Sequence, residues 1–145
     1  APLWTLTLAE GEPVVRITPA DIDGDGLPEL LTACGNSGHA VAADGRRLWS
    51  CRTEGAVRDV SMARFDRQGP ATVLVSSADT QLYQLEPSGA LKRRVEMRGI
   101  YFSADHGEQP WGVYCTRAVD ADSDGVDDML VTTLASMETQ GLEPD

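Results

Sequence analysis

The sequence is short of basic residues and of long apolar runs, and each shortage excludes a class of protein. Only 12 of the 145 residues are Lys or Arg, against 23 Asp and Glu, so the formal net charge is −11. Binding to phosphates requires a basic stripe, so we expect neither nucleic acid nor an anionic membrane as a partner. No apolar run approaches the roughly 18 residues of a spanning helix, so we expect no membrane insertion.

Cysteine is also scarce. The three cysteines are an odd number without a Cys-x-x-Cys spacing, which argues against a disulfide framework and against a zinc site. We therefore expect Cys34, Cys51 and Cys115 to be free thiols. The length is that of one domain that can bury a core without such crosslinks.

The sequence does contain many short apolar runs separated by turn residues. No segment keeps the 3.6-residue helical period over three turns, and 14 Gly and 8 Pro interrupt the chain. The predicted fold class is therefore all-β, built from short strands. The predicted strands cover residues 14–20, 29–34, 39–43, 46–52, 57–64, 71–77, 81–86 and 90–97.

Internal repetition organises these strands. Residues 29–49 and 72–93 share one order of strand, tight turn, strand, Gly-containing turn and strand, offset by 43 residues with one residue inserted at Pro87. A third copy begins after a longer spacer. Each copy is predicted to be a four-stranded antiparallel meander, the size of a β-propeller blade. Within the first copy, Asp44-Gly45 predicts a two-residue type I′ hairpin turn.

The repeats predict about two and a half blades. Residues 1–10 are the tail of a preceding blade, 14–52 and 57–97 are complete blades, 98–110 are an insertion and 111–145 are a partial blade. A propeller ring typically has four to eight blades. We therefore expect the chain to be a fragment of a larger propeller, or to be completed by other chains, so that the remaining blades are its first partners.

Two acidic loops share the spacing D-x-D-x-D-G-x-x-[D/E], which suits a hard cation. Oxygen ligands at positions 1, 3 and 5, a carbonyl at 7 and a final carboxylate make a cage that calcium fills better than magnesium. The EF-hand does not fit, because its bidentate Glu is at position 12. A solvated acidic turn is the alternative. The predicted ligands of two Ca²⁺ sites are Asp21, Asp23, Asp25, the Leu27 carbonyl and Glu29, and Asp120, Asp122, Asp124, the Val126 carbonyl and Asp128.

The middle copy departs from this pattern. At the 43-residue offset, its loop has Arg64, Asp66, Gln68 and Thr72 in place of the four carboxylates. One carboxylate is too few for a calcium cage, so we expect no calcium there.

The acidic loops carry a specific resemblance. A strand ending in Ala, then DxDxDGxxD/E, then an apolar strand resembles the calcium-binding FG-GAP/VCBS-type repeats of integrin α-subunit propellers and of bacterial secreted proteins. The segment AADGRRLW, residues 42–49, is similar to the end of a quinoprotein-like blade, where a Trp docks one blade on the next. The resemblance implies that each loop joins the first and second strands of a blade.

Other residues offer weaker signals. The insertion holds Tyr101 and His106, the candidates for proton transfer if the chain has a catalytic site, although a solvated polar loop is the explanation that we favour. We expect Trp4 and Trp49 to pack in the core. His39 is expected to be a polar turn residue.

These features lead to one main functional prediction. The chain is expected to be a calcium-binding propeller segment of an exported protein, extracellular, at the cell surface or periplasmic, because calcium is abundant there. It would act as a scaffold or as a surface that binds polysaccharide or protein, without catalysis of its own. The alternative is part of a calcium-dependent polysaccharide lyase or another carbohydrate-active enzyme.

Overall fold

The computed structural model describes residues 3–97, 100–103 and 107–135, with side chains described for residues 3–97 and 113–132. Throughout these residues the chain is all-β, which confirms the predicted fold class. The described part of the chain has no helix that could cross a membrane.

The strands form three antiparallel sheets. The first sheet contains β1 (Val14–Ala20), β2 (Glu29–Cys34), β3 (Ser37–Val41) and β4 (Arg47–Arg52), in that order. The second contains β5 (Val57–Ala63), β6 (Thr72–Ser77), β7 (Gln81–Leu85) and β8 (Leu91–Glu96), also in chain order. The third has the order β11 (Asp128–Ala135), β10 (Gly107–Val119), β9 (Ile100–Ser103). The eight strands predicted by residue range are therefore confirmed to within two residues at each end, and none of these sheets closes on itself.

The first strand of each sheet has the same irregularity. The register shifts between Val14 and Arg16 in β1, between Val57 and Asp59 in β5, and between Val113 and Cys115 in β10. Each shift is a β-bulge, which leaves one extra residue on the first strand. Directly after the bulges, Arg16, Asp59 and Cys115 occupy equivalent positions in the three strands. The numbers of residues that separate them are the same as those that separate corresponding positions of the loops.

The core lies between the sheets. One apolar cluster joins Leu31, Ala33 and Ala40 of the first sheet to Val60 and Val75 of the second. A second cluster joins Ala63, Leu74 and Leu82 of the second sheet to Val113 of the third. Each sheet therefore packs its neighbour face to face, and burial of these apolar side chains holds the stack together.

Two tryptophans dock on glycine-containing turns of the sheets in the same way. The Trp49 ring lies over Gly89, where an added Cβ would be 2.5 Å from Cγ of the indole, and its Nε1 donates to the Pro87 carbonyl at 2.9 Å. Trp4 repeats this arrangement over Gly45, with Nε1 donating to the Ala43 carbonyl at 2.8 Å. Trp49 is partly buried and packs against the first apolar cluster, as predicted, whereas Trp4 is 38% exposed and lies at the surface rather than in the core.

The structure corrects three further local predictions. Gly45 has φ +87° while Asp44 has none of the positive φ that a type I′ turn requires, so the turn is not of that type. Gly45 N instead donates to the Ala42 carbonyl across a four-residue turn, followed by a bulge. His39 is a buried strand residue rather than a turn residue, because β3 begins at Ser37.

The third correction concerns the predicted insertion, residues 98–110. Much of it is strand rather than loop: β9 pairs with the beginning of β10, with Tyr101 opposite Gln109. Within this segment, residues 107–110 therefore extend the first strand of the third sheet and pair with residues 100–103.

Candidate metal-binding loops

The two acidic loops occupy equivalent places in the fold. One joins β1 to β2 and the other joins β10 to β11, which is the first-to-second-strand connection in both sheets. Their backbones match as well, because positive φ recurs at the fourth and sixth positions. These are Gly24 (+81°) and Gly26 (+86°) in the first loop, and Ser123 (+62°) and Gly125 (+85°) in the second.

Carboxylates organise the backbone of the first loop. Asp21 accepts the Gly24 amide at 2.8 Å through Oδ1 and the Gly26 amide at 3.0 Å through Oδ2. The buried Glu29 accepts the Ile22 amide at 3.0 Å. Side chains at the first and last positions thus hold the loop from both ends.

In the second loop the carboxylates at the first and last positions again accept loop amides, although Asp120 accepts the amide of the fifth residue where Asp21 accepts that of the fourth. Asp120 accepts the Asp124 amide at 3.0 Å and the Gly125 amide at 2.9 Å, through its two oxygens. Asp128 accepts the Ala121 amide at 3.2 Å, as Glu29 accepts that of Ile22. Two distant stretches of sequence therefore fold into one loop architecture.

The carboxylates of each loop gather closely enough to hold one ion. Oxygens of Asp21, Asp23 and Glu29 all lie within 4.8 Å of one another. Oxygens of Asp120, Asp122 and Asp124 do so in the second loop. The remaining predicted carboxylates, Asp25 and Asp128, lie outside these groups, and both accept backbone amides through one oxygen.

The predicted carbonyl ligands have their amides fixed by the same aspartates. The Leu27 amide donates to Asp25 at 2.7 Å, and the Val126 amide donates to Asp124 at 2.9 Å. These contacts set the peptide planes at the seventh position of each loop. The Leu27 side chain itself is 61% exposed and makes no contribution to a cage.

The clustered carboxylates of each loop repel one another when they are ionised. Like charges a few ångströms apart repel, and the repulsion is larger near a protein surface than in bulk water. A carboxylate oxygen has two lone pairs, so an oxygen that accepts one amide can also coordinate a cation. An oxygen-only, carboxylate-rich site of this kind suits calcium.

The middle loop, between β5 and β6, is braced by protein contacts. The Arg64 amide donates to Asp127 Oδ2 at 2.6 Å, and the Asp127 amide donates to the Arg64 carbonyl at 2.7 Å. Arg67 also lies against Gly125 of the second acidic loop. Among the described residues, the clusters able to hold a metal do not include this loop.

The two candidate proton-transfer residues are not brought together into a described site. Tyr101 lies in β9, and nothing is described of its side chain. His106 lies outside the described residues.

A cavity of about 350 Å³ lies between the second and third sheets. It is lined by Phe65, Thr72, Gln84, Lys92, Arg93 and Met129.

Arg93 explains why this seam differs from the one before it. In the first sheet Trp49 pairs with Ala40, and in the second sheet Arg93 takes the corresponding place opposite Gln84. Arg93 Nε donates to Gln84 Oε1 at 2.6 Å, so the guanidinium lies along the sheet instead of filling the seam with an indole. This difference between Trp49 and Arg93 is visible in the sequence only when the two repeats are aligned.

One important polar group could not be found from the sequence. Asp59 is fully buried, with Oδ1 at 2.9 Å from Arg16 Nε and Oδ2 accepting Arg117 Nη1 at 2.6 Å and the Thr116 amide at 3.1 Å. Its carboxylate raises the pKa of the Arg117 guanidinium. Asp59 therefore links the first strands of all three sheets.

Comparison with known proteins adds no family to this picture. Neither models of known protein families nor curated protein sequences match the chain.

Proposed function

We propose that this chain is a calcium-stabilised β-propeller segment of an exported protein, serving as a scaffold that presents a binding surface. The observation that carries the proposal is the pair of matched loops with clustered carboxylates, Asp21/Asp23/Glu29 and Asp120/Asp122/Asp124. The two loops also share positive φ at the same two positions and carboxylate contacts at the last position, so one mode of cation binding would serve both.

Each ion would fasten two strands of one sheet. The ligands at the first positions follow β1 or β10, and the last carboxylate is the first residue of β2 or β11. A cation shared between them links the end of one strand to the start of the next and cancels the repulsion within the loop. Calcium therefore acts on stability, by binding the folded state and not the unfolded one.

The propeller arrangement is supported by the way the sheets repeat. Two successive meanders pack face to face, each first strand has a bulge, and a tryptophan of one unit docks on a glycine turn of the next. Propellers stack four-stranded antiparallel sheets in this manner around a central axis. The adjacent inner strands β1, β5 and β10, linked through Asp59, would line that axis.

An exported location and a binding role extend the proposal. Sites that bind at millimolar calcium are filled outside the cell, which favours an extracellular or periplasmic setting. The cavity beside Phe65, Lys92 and Arg93 offers an aromatic ring and two positively charged side chains. Such side chains suit a polysaccharide or an acidic protein segment.

Calcium-dependent unfolding tests the scaffold role. Above the dissociation constant, each tenfold increase in free calcium is expected to raise the unfolding free energy by about 1.4 kcal/mol per site. Denaturant unfolding at several calcium concentrations, and after chelation, measures this slope. A stability that is the same in millimolar calcium and in chelator would contradict the proposal.

The chain offers a matched set of variants. Asp23 and Asp66 occupy equivalent positions, and each accepts an amide two residues ahead through Oδ1, at 3.1 and 2.9 Å. Replacement by Asn keeps that acceptor and removes only the charge. Asp23→Asn is therefore expected to halve the calcium dependence of stability, while Asp66→Asn in the middle loop leaves it unchanged.

A further inference from the structure

Two arginines from different sheets meet at the buried carboxylate of Asp59. Arg16 Nε lies 2.9 Å from Asp59 Oδ1, and Arg117 Nη1 lies 2.6 Å from Oδ2. One carboxylate of β5 therefore holds a guanidinium of β1 and a guanidinium of β10 beside each other. Two positive charges against one negative charge leave a positive excess at this place, although the chain as a whole has a formal net charge of −11.

Both guanidinium groups keep donors that the protein does not use. The Arg16 and Arg117 side chains are 40% and 50% exposed, whereas Asp59 is 0% exposed. Within the described part of the chain, Asp59 is the one carboxylate paired with either arginine, and both Nη atoms of Arg16 and Nη2 of Arg117 donate to no protein group. A guanidinium presents its N–H donors as a planar fork, so these Nη groups can bind the oxygens of an oxyanion.

The contact between Arg16 and Asp59 is an ion pair and not a hydrogen bond. Arg16 Nε and Asp59 Oδ1 are both buried and neither has a hydrogen-bond partner, although they lie 2.9 Å apart. A buried donor and a buried acceptor that stay unsatisfied cost free energy. Because no hydrogen bond fixes the orientation of this guanidinium, Arg16 is able to turn its Nη groups towards a ligand.

The β-bulges add a third arginine and an aromatic ring to the same strands. The extra residues of the bulges in β1, β5 and β10 are Val15, Arg58 and Tyr114, and all three are exposed. A bulge re-aims a side chain out of the regular alternation of a strand, and bulges are common next to binding sites. Arg58 directly precedes Asp59, and its side chain makes no ion pair or hydrogen bond with the described residues.

From this arrangement we infer that Arg16, Arg58 and Arg117 form a binding site for an oxyanion, the carboxylate or phosphate group of a small ligand. Arginine forks match the oxygens of both groups, and such charge-assisted hydrogen bonds are about twice as strong as neutral ones. The acidic remainder of the chain would repel a long polyanion, so the ligand carries one or two such groups. The exposed Tyr114 ring suits a ligand whose oxyanion is attached to a sugar. The site includes no residue of the acidic loops, so the inference goes beyond the proposed function and does not depend on it.

Isothermal titration calorimetry with inorganic phosphate, glucuronate and glucose tests the inference. It is done at low ionic strength, because salt screens exposed charges, and at a calcium concentration too low to precipitate phosphate. Phosphate, glucuronate or both are expected to bind at one site per chain, and neutral glucose is expected not to bind. Binding of phosphate alone would identify a phosphate ligand, and binding of glucuronate alone would identify a sugar acid. A chain that binds neither anion, or that binds glucose as well as glucuronate, would overturn the inference.

Single arginine variants locate the site. Arg117→Gln removes charged donors and is expected to weaken binding about tenfold. This variant also takes a partner from the buried Asp59, so Arg58→Gln, which breaks no contact of the described residues, is the second variant. It is expected to keep the circular dichroism of the wild type and to bind several-fold more weakly. Arg46→Gln, at an exposed arginine 3.9 Å from Asp44, is the control and is expected to bind like the wild type. Unchanged binding in a folded Arg58→Gln or Arg117→Gln variant, or equal weakening in the control, would overturn the inference.

Discussion

At the scale of one residue, Asp79 connects two parts of the chain. It lies in the turn between β6 and β7, and it contacts the linker that joins the first sheet to the second. Its Oδ2 accepts the Glu54 and Gly55 amides at 3.0 and 3.2 Å and the Tyr83 hydroxyl at 2.7 Å. Gly55 is required there, because a Cβ would lie 2.6 Å from the Asp79 amide nitrogen. This carboxylate therefore helps to hold the linker between β4 and β5, which Thr53 also ties to the Asn36 carbonyl.

Removal of this carboxylate is expected to weaken the fold. Asp79→Ala leaves three amides, those of Glu54, Gly55 and Gln81, and a phenol without their acceptor, so we expect a loss of about 2 kcal/mol in the unfolding free energy. Urea unfolding measures it. Asp44→Ala, in an exposed turn where the carboxylate accepts only the Arg46 amide, is the control and should cost less than half as much.

The same residue predicts a pH dependence. Burial opposes ionisation of Asp79, but the hydrogen bonds from Tyr83, Ser77 and the backbone outweigh it, so the pKa of this carboxyl is lowered from 3.8. A lowered folded-state pKa gives stability that is complete above the unfolded value and is lost as the pH falls through the folded one. Below about pH 4 the wild type is therefore expected to lose stability more steeply than Asp79→Asn. Parallel acid titrations of the two proteins would contradict this origin.

At the scale of elements, the strands were predictable because their signal is local and repeated. Alternating apolar residues and the offset of 43 residues located β1 to β8, and the acidic spacing located both loops. The bulges at the starts of β1, β5 and β10 were not predictable, because an extra residue leaves the composition of a strand unchanged. The Asp44-Gly45 turn was assigned wrongly because the pair does not reveal how many residues precede the left-handed glycine.

The other features that the sequence did not predict depend on contacts between residues that are far apart in the chain. His39 follows the turn residues Gly-Asn-Ser-Gly at 35–38, yet β3 starts early and buries it, and burial together with the charge of Arg47 lowers the pKa of the imidazole. The Asp127 contact with Arg64 joins residues 63 apart. No periodicity encodes such a pairing.

The docking of Trp49 on the turn between β7 and β8 can be tested through its glycine. Gly89→Ala adds a Cβ 2.5 Å from the indole at a residue with φ +85°, so both strain and overlap are expected, at about 3 kcal/mol in all. Gly11→Ala is the control, because Gly11 has φ +75° and nothing within 4 Å of an added Cβ. It should cost about 1 kcal/mol by the conformational term alone. Equal unfolding free energies for the two variants would contradict the docking role.

At the scale of the whole molecule, Asp59 connects the three sheets. It is fully buried, while the paired side chains of Arg16 and Arg117 are 40% and 50% exposed. Loss of a buried carboxylate that forms ion pairs with two guanidinium groups and accepts the Thr116 amide is expensive, so Asp59→Ala is expected to cost about 3 kcal/mol. Chemical denaturation measures this, with Asp66→Ala on the surface as control. A cost below 1 kcal/mol, or one no larger than the control's, would contradict the linking role of Asp59.

Charge also acts over the whole molecule through the acidic loops. The chain has a net charge of −11, and eight carboxylates lie at the ligand positions of the two loops. Two calcium ions would neutralise four of these negative charges. They would also fasten the first and third sheets at equivalent loops, while contacts between Arg64 and Asp127 hold the middle loop. The stability of the stack and its calcium content are therefore expected to change together.

The most direct test of this account is the number of calcium ions bound per chain, measured by native mass spectrometry in millimolar calcium and after chelation. We predict two ions per chain for the wild type and for Asp66→Asn, one for Asp23→Asn or Asp122→Asn, and none after chelation. A wild-type chain that binds no ion in millimolar calcium, or one that loses an ion on Asp66→Asn but not on Asp23→Asn, would contradict it.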